Sequence, residues 1–316
     1  MNELRKDYLL DRWVIIAMGR GKRPHQFALG KQTEKVEVCF FCPGNENLTP
    51  PEITRLEEGG NWVIRVFPNK FPAVMQEGDP AIKTDNQYYT YASAYGNHEV
   101  LVESPSHDEQ FADLSIRRIK QVLQMYNNRI QELSKVKGVQ YVSVFKNQGK
   151  EAGTSLVHTH TQIIALNTIP PLIEEEIEAN KDRCRYCEVI EKEKNSYRRV
   201  LENSFISFAP YASRVPFEVW IFPKRHVSCL DDLNDLELED LAKQLKHILV
   251  KLKELNAPYN FYLHYAPQGK DLHFHIEVAP RLAIWAGFEL GNDIFVNIMS
   301  PEEAAKFYRG EDSGEK

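Results

Sequence analysis

An α+β fold of two tandem halves, each a mostly antiparallel sheet with one long helix, is predicted by three observations on this 316-residue chain. A Cys-x-x-Cys pair occurs twice, at Cys39 and Cys42 and at Cys184 and Cys187. A long amphipathic pattern flanked by strand patterns follows each pair. A His-x-His then closes each copy, at His158 and His160 and again at His273 and His275.

The elements follow one another in the same order. Residues 98–107, His98-Glu-Val-Leu-Val-Glu-Ser-Pro-Ser-His107, alternate in polarity and end on a histidine, as do residues 217–226, Phe217-Glu-Val-Trp-Ile-Phe-Pro-Lys-Arg-His226. Each reads as a strand running into a loop. Residues 116–136 carry apolar side chains at Ile119, Val122, Leu123, Tyr126, Ile130 and Leu133, and residues 236–255 carry them at Leu241, Leu245, Ile248, Leu249 and Leu252. That spacing predicts two helices. Strands are predicted at 141–145 and 260–265, each leading to a Gln-Gly turn, at Gln148 and at Gln268. The division that results is a first half over 1–166, a linker over 167–182 and a second half over 183–316. The linker, with Pro170-Pro171 and the run Glu174-Glu175-Glu176, reads as a turn and a solvated helix without chemistry.

Composition excludes several functions. With 42% apolar residues the chain can bury a sizeable core, and 39 basic against 45 acidic residues, a net charge of -6, give no footprint for nucleic acid or an anionic membrane. No run approaches the roughly 20 apolar residues of a membrane span, and Asp11 and Arg12 interrupt any leader-like stretch at the start. A soluble, cytoplasmic protein is expected. In that reducing setting the five cysteines point to metal or redox chemistry rather than disulfides.

Zinc fits best. A Cys-x-x-Cys knuckle supplies two ligands of a tetrahedral site from one turn, and two histidines complete it. Corresponding places in the repeat offer Cys39, Cys42, His107 and His158 for one site, and Cys184, Cys187, His226 and His273 for a second. A redox dithiol does not explain histidines that recur at equivalent positions. Cys229, three residues after His226, reads as a small apolar residue that could join the second site.

The run Ser155-Leu-Val-His158-Thr-His160-Thr-Gln162-Ile-Ile-Ala-Leu166 reads as a strand entered from a turn at 149–153. On a strand, His158, His160 and Gln162 share a face, about 7 Å apart at a rise of about 3.3 Å per residue. A His-x-His alone is more often a simple metal site. Here metal on His158 would leave His160 unligated beside Gln162 and beside a turn, with Lys146, Asn147, Gln148, Gly149, Gly153, Thr154 and Ser155, rich in donors for phosphate. A neutral imidazole attacks phosphorus, and a carboxamide donates to the oxygen whose charge grows.

In this order the motifs resemble the galactose-1-phosphate uridylyltransferase branch of the histidine triad superfamily, which includes ADP-glucose phosphorylases. The resemblance runs from Leu4-Arg-Lys-Asp7 and Arg20-Gly-Lys-Arg23-Pro24, through Cys39-Phe-Phe-Cys42 and Arg65-Val-Phe-Pro-Asn69-Lys-Phe-Pro72, to Gly287-Phe-Glu289-Leu-Gly. It implies two histidine-triad-like halves, a homodimer, and ping-pong transfer of a nucleotidyl group from a nucleotide sugar to a sugar 1-phosphate through His160. It implies zinc at both four-residue sets, the second as in phosphorylase-like members. Arg20, Arg23, Asn69, Asn147, Gly153, Ser155 and Gln162 match nucleotide or phosphate contacts, and Glu289 lies in a sugar-phosphate segment. The activity it favours is UDP-glucose:hexose-1-phosphate uridylyltransfer. The alternatives are an ADP-sugar or dinucleoside polyphosphate phosphorylase of the same fold and a non-catalytic, zinc-stabilised nucleotide-binding protein. Thr159 stands where some members have proline, and Lys70 where some have an acidic residue. The second half has Glu277 where the first has Gln162, and a carboxylate repels a transferring phosphate. His275 is therefore expected to be structural or a further metal ligand, as in members that bind iron there.

Overall fold

A computed structural model of the chain describes residues 3–10, 13–16, 38–154 and 156–311. The first half contributes β1 (Glu3–Lys6), β2 (Trp13–Ile16), β3 (Thr54–Glu58), β4 (Asn61–Pro68), the hairpin β5 (Lys83–Asp85) and β6 (Tyr89–Tyr91), β7 (Gly96–Val102), α1 (Ile116–Ser134), β8 (Tyr141–Gln148) and β9 (His160–Leu166). Helices α2 (Pro171–Asn180) and α3 (Arg185–Glu193) follow. The second half contributes β10 (Arg199–Glu202), β11 (Phe205–Phe208), β12 (Val219–Pro223), α4 (Asp235–Glu254), β13 (Tyr259–His264), β14 (His275–Pro280), α5 (Gly287–Asn292), β15 (Ile294–Asn297) and α6 (Pro301–Arg309). No helix among the described residues is long and apolar enough to cross a membrane.

Ten strands form one antiparallel sheet in the order β10-β11-β12-β14-β13-β8-β9-β7-β4-β3. From the centre outward the order is β8, β9, β7, β4, β3 on one side and β13, β14, β12, β11, β10 on the other, so the duplication read in sequence is also spatial. At the junction Phe145 to Gln148 of β8 pair with Tyr262 to Tyr259 of β13. This carries β8 three residues beyond the expected 141–145, because the ladder offered by the other half satisfies backbone groups that a turn would leave to solvent. Register also corrects the alignment of the halves. Val100 faces Gln162 in the first half, whereas Trp220, not Val219, faces Glu277 in the second. Matching the two segments on their final histidines therefore misplaces the strands by one residue, and the partner of His98 is Glu218.

The two long helices form where their apolar stripes predict, and a side chain caps the start of each. Ser115 Oγ accepts from the Arg118 N–H at the start of α1, and Asn234 Oδ1 accepts from the N–H groups of Leu236 and Glu237 at the start of α4. Their apolar faces pack on each other and on the sheet, where Ile119, Leu123, Leu241, Leu245 and Ile248 join one core with strand residues of both halves. The segment expected to be a solvated linker behaves differently. In α2, Ile173 and Glu176 both turn inward, and Glu176 is 1% exposed. A helical turn places them on one face, and the buried carboxylate meets partners described below.

Candidate active site and metal clusters

Each Cys-x-x-Cys pair meets two histidines. Donors bound to zinc at about 2.0–2.3 Å stand about 3.3–3.8 Å apart at the corners of a tetrahedron. In the first cluster Cys39 Sγ lies 3.5 Å from His158 Nδ1, and Cys42 Sγ lies 3.6 Å from His158 Nδ1 and 3.5 Å from His107 Nδ1. In the second, His273 Nδ1 lies 3.6 Å from Cys184 Sγ and 3.4 Å from Cys187 Sγ, and His226 Nδ1 lies 3.6 Å from Cys187 Sγ. The far ring nitrogens donate elsewhere: His158 to the Ser104 carbonyl at 2.7 Å, His273 to the Pro223 carbonyl at 2.9 Å, and His226 to Asp271 Oδ1 at 2.8 Å. These bonds fix the tautomer that leaves Nδ1 as a ligand, so both donor sets fit a zinc ion. Burial pushes the Cys42 thiol up to about 11 and that of Cys184 up to about 12, values that a bound cation reverses. Cys229 is outside the second set; it packs against the core beside the turn Leu230–Asp232.

The first cluster sits at the head of β9. The strand begins at His160, and His158 occupies the bend before it, so only His160 and Gln162 form the expected row. His160 Nδ1–H donates to the His158 carbonyl at 2.9 Å. Its proton is thereby placed on Nδ1, and Nε2 keeps a free lone pair. Burial, and next the charge of Lys146, hold His160 below the usual histidine range, so it is neutral at pH 7. The Phe41 ring, carried by the cysteine knuckle, packs edge-on at 5.3 Å between centroids.

His160 and Gln162 line a cavity of about 460 Å³, within the range of small-molecule sites. Its lining includes the apolar side chains of Phe40, Phe41, Leu48, Pro50 and Phe67 and the polar ones of Asn69, His98, His160 and Gln162. The structure thus brings Asn69, His160 and Gln162 together. Asn147, Gly153 and Glu289 do not line this cavity. Asn147 Oδ1 accepts from Asn260 Nδ2 at 2.7 Å, and Gly153 ends the turn Lys150–Ala152 in the left-handed region at φ +91°. Glu289 lies on the short helix α5, where its carboxylate accepts from the Ala286 N–H at 3.0 Å. Arg20, Arg23 and Ser155 lie outside the described residues. The turn is shaped by Gly149, at φ +89°, where a Cβ would stand 2.6 Å from Pro258 Cβ.

The sequence pattern described as galactose-1-phosphate uridyl transferase, N-terminal domain, matches residues 1–170, and the pattern of the C-terminal domain matches residues 140–294. The chain belongs to the galactose-1-phosphate uridyl transferase family. It is 35% identical to ADP-glucose phosphorylase of Arabidopsis thaliana, over 97% of this chain and 92% of that one. It is 32% identical to galactose-1-phosphate uridylyltransferase of Thermotoga maritima, over 98% of each. Its fold is similar to the crystal structure of the Arabidopsis phosphorylase with bound ADP-glucose, at a TM-score of 0.83 and 34% identity, covering 98% of this chain and 99% of that one. As a member of this family the protein is a nucleotidyltransferase enzyme.

This uridyl transferase family member carries a third cluster, in which His275 and Glu277, both singled out in sequence, meet Glu176 and His264, which were not. Glu176, His264, His275 and Glu277 place ligand atoms within 4.8 Å of one another, all four buried. His275 repeats the geometry of His160, with Nδ1–H donating to the His273 carbonyl at 3.0 Å. Its Nε2 has no hydrogen-bond partner and faces Glu176 and Glu277 at 4.0 and 3.9 Å. That orphaned lone pair among two carboxylates and His264 fits a cation.

Lys146, expected among the phosphate donors, turns the other way. Its ammonium is fully buried behind β9, 2.6 Å from Glu103 Oε2, and donates to Thr159 Oγ1 and to the His160 carbonyl, both at 2.9 Å. Thr159 in turn donates to Glu103 at 2.5 Å. The hydroxyl that stands where some relatives have proline is thus part of a buried clamp on the His-x-His backbone. Lys146→Met is expected to cost about 3–5 kcal/mol, because it strands the Glu103 charge. The pair Lys146→Met with Glu103→Leu is expected to recover most of that loss in urea unfolding; an additive loss would show that the charges do not act as a pair.

Proposed function

We propose that the protein transfers a nucleotidyl group in two steps through His160. Nε2 attacks the α-phosphorus of a nucleoside diphosphate sugar; the N–P bond forms as the bond to the bridging oxygen breaks, and sugar 1-phosphate leaves with the electron pair. An oxygen of a second sugar 1-phosphate then attacks the same phosphorus, and the N–P electrons return to the imidazole. The observation that carries this reading is the free Nε2 of a neutral histidine beside Gln162 in a cavity with apolar lining. Gln162 and Asn69 donate to the phosphate, and Phe40, Phe41, Leu48 and Pro50 enclose base and ribose. Arg20, Arg23, Asn147, Gly153 and Ser155 are assigned to the nucleotide and its phosphates.

The two cysteine clusters hold structural zinc, one in each half as divided at 166 and 183, and the third holds a further cation. Zinc thiolates suit the reducing, cytoplasmic setting assigned to the protein. The chain works as a homodimer without nucleic-acid or membrane partners. Exposed apolar side chains such as Phe71, Tyr88, Tyr89, Ile284 and Leu290 supply faces for a second copy. Glu289, off the cavity of its own chain, meets the sugar phosphate from that copy.

The favoured substrates are UDP-glucose and a hexose 1-phosphate, supported by likeness to the Thermotoga enzyme along the whole chain. A second reading, ADP-sugar phosphorolysis, has its own support in the second Cys2His2 cluster, in Thr159 and in likeness to the Arabidopsis phosphorylase. Incubation with UDP-glucose or ADP-glucose labelled at the α-phosphate separates them. Labelling by UDP-glucose, discharged faster by galactose 1-phosphate than by inorganic phosphate, is the expected result. Labelling by ADP-glucose with faster discharge by phosphate would establish the second reading, and tight nucleotide binding with no adduct would leave a non-catalytic binding protein.

A further inference from the structure

The carboxamide of Gln162 is useful to a transferring phosphate in only one of its two orientations. With its nitrogen toward the cavity it donates to a non-bridging oxygen. Reversed, it presents an oxygen lone pair to an anion, and the shape of the side chain does not choose between the two. The choice must come from a neighbour whose own hydrogen-bond sense is fixed.

That neighbour is His98. It lies on β7 opposite Ile164, which makes it the diagonal, same-face neighbour of Gln162 on β9. It is 8% exposed and lines the cavity. Its Nδ1 lies 3.1 Å from the main-chain nitrogen of Ala73 and accepts that N–H. A backbone amide cannot reverse, so the proton of the neutral ring is confined to Nε2. Two groups stand near Nε2: Gln162 Oε1 at 2.9 Å and Asn69 Nδ2 at 3.1 Å. The Asn69 amide is itself oriented, because its Oδ1 accepts from the Phe71 N–H at 2.8 Å. Asn69 therefore presents only N–H groups on this side, so it is a close neighbour of Nε2–H and not its hydrogen-bond partner. Nε2–H goes to Gln162 Oε1, and the Gln162 nitrogen, which bonds to none of the described side chains, is left for the ligand. Burial keeps His98 below the usual histidine range, so the ring stays in this single-proton form.

The other half supplies a control. The sheet register puts Glu218 in the place of His98 and Glu277 in that of Gln162. There too the first position fixes the second, by a different device: Arg214 Nη2 bridges Glu218 Oε1 at 3.2 Å and Glu277 Oε2 at 2.6 Å. Where the facing residue is a symmetric carboxylate, a bridging cation suffices. Where it is a carboxamide, a donor of defined direction is needed.

We infer that His98 is a positioning residue of the transfer reaction, which passes the fixed direction of the Ala73 amide to Gln162 and holds its NH2 toward the phosphate. The inference rests on the reading of His160 as nucleophile, and two measurements separate the two ideas. Rapid-quench measurement of nucleotidyl-enzyme formation is made on wild type, His98→Phe, His98→Gln, Gln162→Ala and the double variant His98→Phe with Gln162→Ala. His98→Phe is expected to slow adduct formation about 100-fold, the scale of losing one aimed donor. His98→Gln, which retains a nitrogen donor at the ε position, is expected to recover most of that rate. In the Gln162→Ala background His98→Phe is expected to cost less than about threefold, since nothing remains to be oriented. An equal loss in both backgrounds would overturn the inference and make His98 a packing residue. Independently of turnover, nitrogen NMR of 15N-histidine protein, with His98 assigned from its loss in His98→Gln, is expected to show a protonated Nε2 and a bare Nδ1. The reverse tautomer would overturn it even in an active enzyme. If wild type forms no adduct while the spectrum shows Nε2–H, the nucleophile reading falls and the orientation of Gln162 stands.

Discussion

His160→Ala is expected to lower formation of the nucleotidyl adduct by about 10⁴-fold or more, because it removes the only bond-forming atom of both half-reactions. Intact-protein mass spectrometry after mixing with the labelled nucleotide sugar reads this directly. The variant should still bind nucleotide, since the apolar lining and the amides of Asn69 and Gln162 are untouched. His275→Ala is the matched comparison. Its Nε2 looks into two carboxylates rather than a cavity, so adduct formation by the folded variant should stay within about threefold of wild type. An adduct that persists in His160→Ala, or that vanishes in His275→Ala, would reassign the chemistry to the other half.

Loss of the first zinc is expected to have the second-largest effect, on stability and activity together. A structural Cys2His2 zinc contributes roughly 10–16 kcal/mol of apparent binding energy, comparable with the whole stability of a domain. Cys42→Ser should lower the metal content by one equivalent and the thermal midpoint by about 10 °C or more, at roughly 2–4 °C per kcal/mol. It should also abolish transfer, because the knuckle carries Phe41 against His160 and the metal fixes His158, whose carbonyl sets the His160 tautomer. Cys187→Ser should remove one equivalent and lower the midpoint similarly, yet leave the adduct rate of the surviving folded protein near wild type. A Cys42→Ser protein that lacks one zinc equivalent yet keeps its midpoint would remove the structural role.

Much of this was legible in the sequence because ligand chemistry leaves spacing behind. The cysteine pairs, the four histidines that join them and the two amphipathic helices were readable one residue at a time. What was not legible depended on partners distant in sequence. Glu176 reads as one of three acidic residues in a solvated run until the rotation of α2 turns it onto His264. Lys146 reads as a phosphate donor beside glycine until β13 extends β8 and directs the ammonium toward Glu103. His98 is hidden inside a strand pattern, since alternation reports which residues face inward but not which of them direct a proton. The one-residue offset between the halves is likewise invisible to a match anchored on histidines; only the ladder reveals it.

The central pairing of β8 with β13 has a consequence for how such a molecule can arise. Two half-length chains of this kind would each leave that strand as an open edge and would meet through it about a twofold axis, at a strength set by their concentration. Joining them in one polypeptide makes the encounter intramolecular and independent of concentration. It also releases the two copies from having to stay alike. One copy can then keep the nucleophile while its twin becomes a counterweight, with Asn260 reaching across the old subunit boundary to hold Asn147 and the Ala152 carbonyl of the working turn.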